Sequence, residues 1–398
     1  MNGPLKIAAP LLVTLALAAC NAAGSSNVPG TAGSTLPAHS MPTWQAKELA
    51  HPSCPQITGK PTCLALVQSK SGISRTVAGW GPSDFQTRYN LPSSTNGSGQ
   101  IVAIVDAYDN PNVASDLNEY RTEFGLGTAN FYKYNQEGQQ GDYPAGNTGW
   151  GVEIDLDVQM VSAVCPNCTI YLVEANSSDS SDLETAELEA VALGAHIVSN
   201  SWICYGSVSC VDTADFDQPG VLYTAGSGDA GYNQNGAPEA LASVVSVGGT
   251  VLSKSGSQYS EVVWDGAGAG CATGVTKPSW QHDPDCTSRT DADVSAVAWG
   301  VAEYDTYGYG GWFTVGGTSV ATPMTAAIFA LRGNQTTRDA AKEFWQHRQK
   351  QREKDLNYIS TGSDGSCGGE YLCTAGTGQF KTYGGPIGWG TPDGIGLY

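Results

Sequence analysis

Positive charge is scarce in this sequence. Nineteen lysines and arginines face 38 aspartates and glutamates among 398 residues, a net charge of −19. A surface of that sign repels a phosphate backbone, which excludes nucleic acid as a partner. Long apolar runs are missing beyond the N-terminus, so no second segment can cross a membrane. No internal repeat is found, and no G-x-S-x-G elbow of the kind used by α/β-hydrolases. Histidine is rare: the five, at positions 39, 51, 196, 282 and 347, include none in a His-Gly turn that would present a catalytic imidazole. A second C-x-x-C pair is also lacking, so Cys165-Pro166-Asn167-Cys168 has no partner with which to build a zinc site and reads as a structural staple.

What is present begins with Lys6 and the apolar run Ile7 to Ala19, too short for a bilayer and suited to the core of a signal peptide. The run ends in Leu17-Ala18-Ala19-Cys20, which looks like a bacterial lipobox. Cys20 would then carry lipid and form the mature N-terminus, with ordinary cleavage after a small residue as the alternative. Residues 20–50, rich in Ser, Gly, Ala, Pro and Thr, read as a flexible tether. Without Cys20, ten of the eleven cysteines remain, in close neighbours 54/63, 165/168, 204/210, 271/286 and 367/373. Five local disulfides in an oxidising compartment are the simplest reading, although sequence alone leaves connectivity open. The expected organisation is a leader (1–19), a tether (20–50), a short Cys-containing segment (51–78) and one large domain (79–398).

From Gly99 onward apolar strands alternate with amphipathic helices, the pattern of a mainly parallel, doubly wound α/β sheet with helices on both faces. Strands are expected at 101–106, 169–173, 196–199, 221–225 and 244–247, and helices at 113–124, 153–163, 183–193 and 319–331. Residues 332–354 hold seven of the 19 basic residues and read as an exposed basic helix.

Three segments carry chemistry. In Gly316-Gly317-Thr318-Ser319 the glycines permit a sharp turn that presents the Ser319 hydroxyl at a helix N-terminus, where free N–H groups suit a developing oxyanion. A plain N-cap serine is the other reading. Glu153 and Asp157 are four apart and share a helix face. Such a pair can titrate as a coupled unit and take a serine proton at low pH, unless it is only a solvated acidic face. Asp229, in the Gly-rich loop Ala225-Gly226-Ser227-Gly228-Asp229-Ala230-Gly231 after an apolar strand, sits where α/β folds bind ligands. It is either a turn former or, protonated, a donor to an oxyanion.

In this order the three segments resemble the sedolisin family of serine-carboxyl peptidases, which have a subtilisin-like fold. The family's S-G-T-S-x-x-x-P motif is matched with Gly316 in place of its first Ser. AIVDAYD at 103–109, SNSW at 199–202, SVGGT at 246–250 and TPDGIG at 391–396 are similar as well. The resemblance covers roughly 79–398. It implies Ser319 as nucleophile, Glu153 as base, Asp157 as the acid that orients it, and Asp229 with the Ser319 N–H as oxyanion hole.

The sequence departs from the family in three places. Roughly 55 to 60 residues between Cys20 and the core are too few for the family's long prodomain, so removal of a large propeptide is not expected. Its C-terminal calcium site looks degraded: Tyr358 and Phe380 stand where carboxylates are needed, leaving the carbonyls of Ile359, Gly376 and Gly378, with Asp355 or Asp364 as substitutes only if the loop is remodelled. KTYG at 381–384 is an apparent insertion. The resulting expectation is an exported, monomeric endopeptidase acting on polypeptides at acidic pH and meeting membrane only through the lipid on Cys20. The rival is a catalytically inactive binding or adhesion lipoprotein.

Overall fold

Alternation along a single strand organises the molecule. In Ile101–Ala107, Val102 and Ile104 enter one buried cluster while Ala103, Val105 and Ala107 enter another on the opposite side. A strand covered on both faces belongs inside a parallel sheet, and this one is its centre. The structure, a computed structural model, describes residues 50–57, 59–68, 76–333, 340–376 and 383–398, with Met1 and Gly3. The chain divides into two units, Met1–Thr35 and Leu36–Tyr398, and the fold is that of the second. Apart from Met1, Gly3 and Ala50, the expected leader and tether lie outside the described residues.

Three short strands come first: β1 (Ala50–Pro52), β2 (Thr62–Cys63) and β3 (Leu66–Gln68), followed by helix α1 (Pro82–Arg88). The winding proper runs β4 (Ile101–Ala107), α2 (Val113–Glu123), β5 (Asn130–Asn135), α3 (Thr148–Val164), β6 (Thr169–Ala175) and α4 (Ser180–Ala192). It continues through β7 (Ile197–Asn200), β8 (Trp202–Ile203), β9 (Leu222–Gly226), β10 (Val244–Ser255) and β11 (Gln258–Val263). A ribbon of β12 (Gly270–Thr276) and β13 (Ser288–Asp291) precedes β14 (Val294–Val297), β15 (Trp299–Asp305), β16 (Gly311–Gly316) and helix α5 (Thr318–Arg332).

The main sheet has the order β11-β10-β9-β7-β4-β6-β5, with β14 also pairing β10. All its pairs are parallel except β10/β11. After β4 the chain builds β5 and β6 on one side, then crosses to β7 on the other. The strand order therefore reverses beside β4, the position where such sheets place ligands. A second sheet, β1-β3-β16-β15, is antiparallel and joins the N-terminal segment to the strand that leads into α5.

Each expected strand and helix forms, with ends moved by a few residues, and two differences are larger. β10 runs eight residues past its expected end because it turns into β11 as a hairpin across Gly256, whose φ is +62°. The single exposed helix expected over 332–354 is not found. α5 ends at Arg332, and two short helices, α6 (Ala340–Gln346) and α7 (Gln349–Asp355), follow residues outside the description. Ala340, Ala341, Phe344 and Trp345 fall at helical spacing and bury one face of α6, while Arg348, Lys350 and Lys354 stay exposed. All ten remaining cysteines pair as their spacing implied.

Candidate active site

The site is assembled from the ends of β4 and β9, the middle of α3 and the start of α5. Asn147 caps α3, its side-chain oxygen accepting from Gly149 N (2.9 Å) and Trp150 N (3.1 Å). Every residue from Trp150 to Val164 is then buried, so Glu153 and Asp157 are carried into the protein interior one helical turn apart. Ser319 lies in the first turn of α5, whose N–H groups have no partner within the helix. The turn into α5 needs glycine at 317: φ is +115°, and a Cβ there would stand 2.1 Å from the Leu64 carbonyl oxygen.

These residues meet. The Ser319 hydroxyl is near enough to Glu153 to lower its proton affinity, yet neither Ser319 Oγ nor Glu153 Oε1 completes a hydrogen bond. Catalytic contacts of this kind often tighten only in the reacting complex. Glu153 Oε2 accepts from Leu64 N and Ala65 N, each at 2.7 Å. Asp157 Oδ1 accepts from Ser201 Oγ at 2.8 Å, and its Oδ2 is unpartnered.

A third acid completes the cluster, and sequence reasoning treated it only as part of a matching stretch. Asp106, near the end of β4, is fully buried, and neither of its oxygens has a hydrogen bond. Its pKa is pushed up to about 8 by loss of solvent. Glu153 is held well above the usual carboxylate range by burial first and then by Asp106. Asp157 is raised by burial, Asp106 and Glu153 in that order. Three acids this close hold fewer than three charges at neutral pH, so protons are shared among them. The legible signal was an acid closing the otherwise apolar strand IVAIVDA.

Asp229 faces the same helix N-terminus. Its Oδ1 accepts from Thr318 N (2.8 Å) and Thr318 Oγ1 (2.9 Å), while Tyr205 Oη accepts from the Asp229 N–H at 2.6 Å. Burial raises its pKa to about 7 against the opposing pull of Thr318. Below that pH the free Oδ2 carries a proton it can donate. Ser319, Glu153 and Asp157 are thus buried together with Asp106, and Asp229 is bonded to Thr318, the first residue of α5.

Only part of the expected calcium loop lies among the described residues, where Asp364 is buried. The Tyr358 hydroxyl donates to the Gly376 carbonyl at 2.5 Å, placing a phenol on an oxygen the ion would need. Asp355 is engaged with Gln351 and lies 3.6 Å from Lys354, while Gly378 and Phe380 fall outside the described residues. Calcium asks for six to eight oxygens, normally including carboxylates. Elsewhere, Asp116, Asp155 and Asp305 bring oxygens within 4.8 Å of one another under the β15–β16 turn, each held by neighbouring amides or hydroxyls.

Residues 125–357 match the family described as the Subtilase family. Sedolisin from Pseudomonas sp. (strain 101) is 25% identical over 304 residues, covering 66% of this chain and 51% of its own length. Kumamolisin from Bacillus sp. (strain MN-32) is 28% identical over 287 residues, covering 63% of this chain and 51% of its own length. The chain therefore spans about half the length of these curated relatives. A solved Pseudomonas sedolisin, a serine-carboxyl proteinase complexed with two molecules of pseudo-iodotyrostatin, superposes with a TM-score of 0.66 at 22% identity. That match covers 80% of this chain and 96% of the other. A psychrophilic protease superposes at 0.52 and 18% identity over 81% of this chain and 99% of its own. These structural likenesses establish a subtilisin-like α/β fold.

Proposed function

The chain belongs to the subtilase family, with its curated relatives on the sedolisin side, and from that premise we propose that it is a serine-carboxyl endopeptidase cutting polypeptides at acidic pH. The observation that carries this reading is the Ser319 hydroxyl beside the buried Glu153 carboxyl group, set among acids rather than beside an imidazole. Ser319 attacks the scissile carbonyl carbon as Glu153 takes its proton, with Asp157 orienting and polarising Glu153. The oxyanion is met by the protonated Oδ2 of Asp229 and the Ser319 N–H. Glu153 then returns the proton to the leaving amine, and water repeats the sequence on the acyl-enzyme.

Acid is the natural working range for this arrangement. Asp229 must be protonated to donate, and a pKa of about 7 secures that at low pH. We place the protein outside the cytoplasm, as a monomer attached to membrane only through lipid on Cys20. Five disulfides support export, and no helix among the described residues is long and apolar enough to cross a membrane.

The test is hydrolysis of a denatured protein from pH 3 to 8, with Ser319→Ala as control. Acid-optimal cleavage that vanishes in the control, with the fold retained, is the expected result. A well-folded sample inactive at every pH, with and without calcium, would leave a binding lipoprotein as the better reading.

A further inference from the structure

Where α2 and α3 meet the β15–β16 turn lies a second group of buried acids, which the catalytic reading leaves unused. Asp116 sits in the first turn of α2, Asp155 on α3 between Glu153 and Asp157, and Asp305 at the end of β15. Each offers an oxygen within 4.8 Å of the other two, and none has more than 1% of its surface exposed. Among the described residues no lysine or arginine forms an ion pair with any of the three. Acids packed in this way either keep their protons or share a bound cation.

Unpartnered oxygens favour the cation. Asp155 Oδ2 accepts from Asn110 Nδ2 at 2.6 Å, but its buried Oδ1 has no partner. Glu303, two residues before Asp305 and on the same face of β15, is fully buried, and neither of its oxygens has a partner. Burial first, then the charges of Asp155 and Asp305, hold Glu303 well above the usual carboxylate range, so it borders the same group. The remaining oxygens are oriented by the turn. Asp116 accepts from Thr306 N and Thr306 Oγ1, both at 2.8 Å, and Asp305 Oδ1 accepts from Tyr307 N at 2.6 Å and Gly308 N at 3.0 Å. A carboxylate has about four lone-pair positions, so such contacts aim the oxygens and still leave room for an ion. Thr306, Gly308 and Gly310 are exposed, which makes the turn a short route from solvent to the cluster.

We propose that Asp116, Asp155 and Asp305 hold one calcium ion beneath the β15–β16 turn, with Glu303 as a fourth carboxylate beside it. A span of 4.8 Å is that of a shell whose oxygens stand about 2.4 Å from one ion, which is calcium's distance. The donors are all hard oxygens, without imidazole or thiolate, which counts against zinc and copper. The site draws on no residue of the C-terminal loop and does not depend on the peptidase reading. Its consequence is mechanical. β16 runs from the clamped turn straight into Gly317 and Ser319, and Asp155 lies between Glu153 and Asp157, so one ion ties the strand before the serine to the helix that carries the acids. Calcium displaces protons here, and its affinity falls as pH drops. The other titratable groups facing the four acids are Glu119 and Tyr120 on α2, Glu153 and Asp157 on α3, and Tyr304 and Tyr309 of the hairpin, none of them a cation.

The test uses the full chain carrying Ser319→Ala, stripped with a chelator and titrated with calcium or magnesium by calorimetry and by Tm, near pH 7.5 and near pH 5. Calcium should bind near pH 7.5 and raise Tm further as its concentration climbs, and both effects should shrink near pH 5. Asp155→Asn should weaken calcium at least about tenfold, and Asp305→Asn supplies the same comparison if the first variant does not fold. Asp364→Asn, in the C-terminal loop, should leave this binding step in place. A calcium response that survives Asp155→Asn and Asp305→Asn but is lost in Asp364→Asn would overturn the assignment. Tighter binding of magnesium than of calcium would overturn the choice of ion. No heat and no Tm shift with millimolar calcium near pH 7.5 would overturn the site itself and leave the four acids holding protons.

Discussion

Asp106 offers the sharpest quantitative test of the buried acid cluster. Its pKa rises from 3.8 to about 8 on burial, with no hydrogen bond to favour the charged form. The native state therefore keeps a proton that the unfolded chain releases near pH 4. A group raised in this way stabilises the fold fully below its unfolded pKa, and that contribution drains away as pH climbs to the folded value. A gap of about 4 units at about 1.4 kcal/mol each amounts to about 6 kcal/mol by pH 8. Asp106→Asn removes the titration at nearly constant shape. In a Ser319→Ala background, which prevents self-digestion, urea unfolding of the two proteins should agree at pH 4 within about 1 kcal/mol. The asparagine variant should then gain about 1.4 kcal/mol per pH unit up to pH 8. Sharing protons with Glu153 and Asp157 will reduce the slope without changing its sign. A stability difference independent of pH, or one that favours aspartate at pH 8, would refute the account of a neutral, desolvated Asp106.

Two further outcomes follow from the oxyanion side. Asp229→Ala should lower kcat about 10²–10³-fold. Asp229→Asn, which keeps a donor at every pH, should move the alkaline limb of activity upward from near pH 7, and an unmoved limb would show that Asp229 does not act as a protonated acid. Gly317→Ala forces a side chain into φ +115° and against the Leu64 carbonyl. It should cost about 1–3 kcal/mol, read as a lower Tm, and an unchanged Tm would mean that segment 62–68 does not pack there.

The sequence announced the parts of the site that depend on local order. A Gly-Gly turn before Ser319, an i,i+4 acid pair on α3 and a Gly-rich loop after β9 are short-range patterns, and folding only had to bring their elements together. The docking of residues 62–68 had no such signal. β2 and β3 are two and three residues long, show no period, and owe their shape to partners about 140 and 250 residues away. Asp106 was readable as an acid in an apolar strand, but its closeness to Glu153 depends on β4 lying under α3. The basic stretch 332–354 misled because charge dominates its composition, whereas the four apolar residues Ala340, Ala341, Phe344 and Trp345 decide that α6 docks.

The Cys54–Cys63 disulfide has a topological consequence. Both of its cysteines precede Leu64, so the cross-link closes a small ring wholly inside the segment that leads to Glu153 and into β3. Among the described residues no disulfide ties that segment to the rest of the molecule. It is held instead by brief ladders with β3 and β8, by Ser53 N on the Ala65 carbonyl and Gly59 N on the Tyr205 carbonyl, and by the Lys60–Asp179 ion pair. Loop closure thus stiffens the approach to the buried acids while leaving its attachment to bonds that can open one at a time.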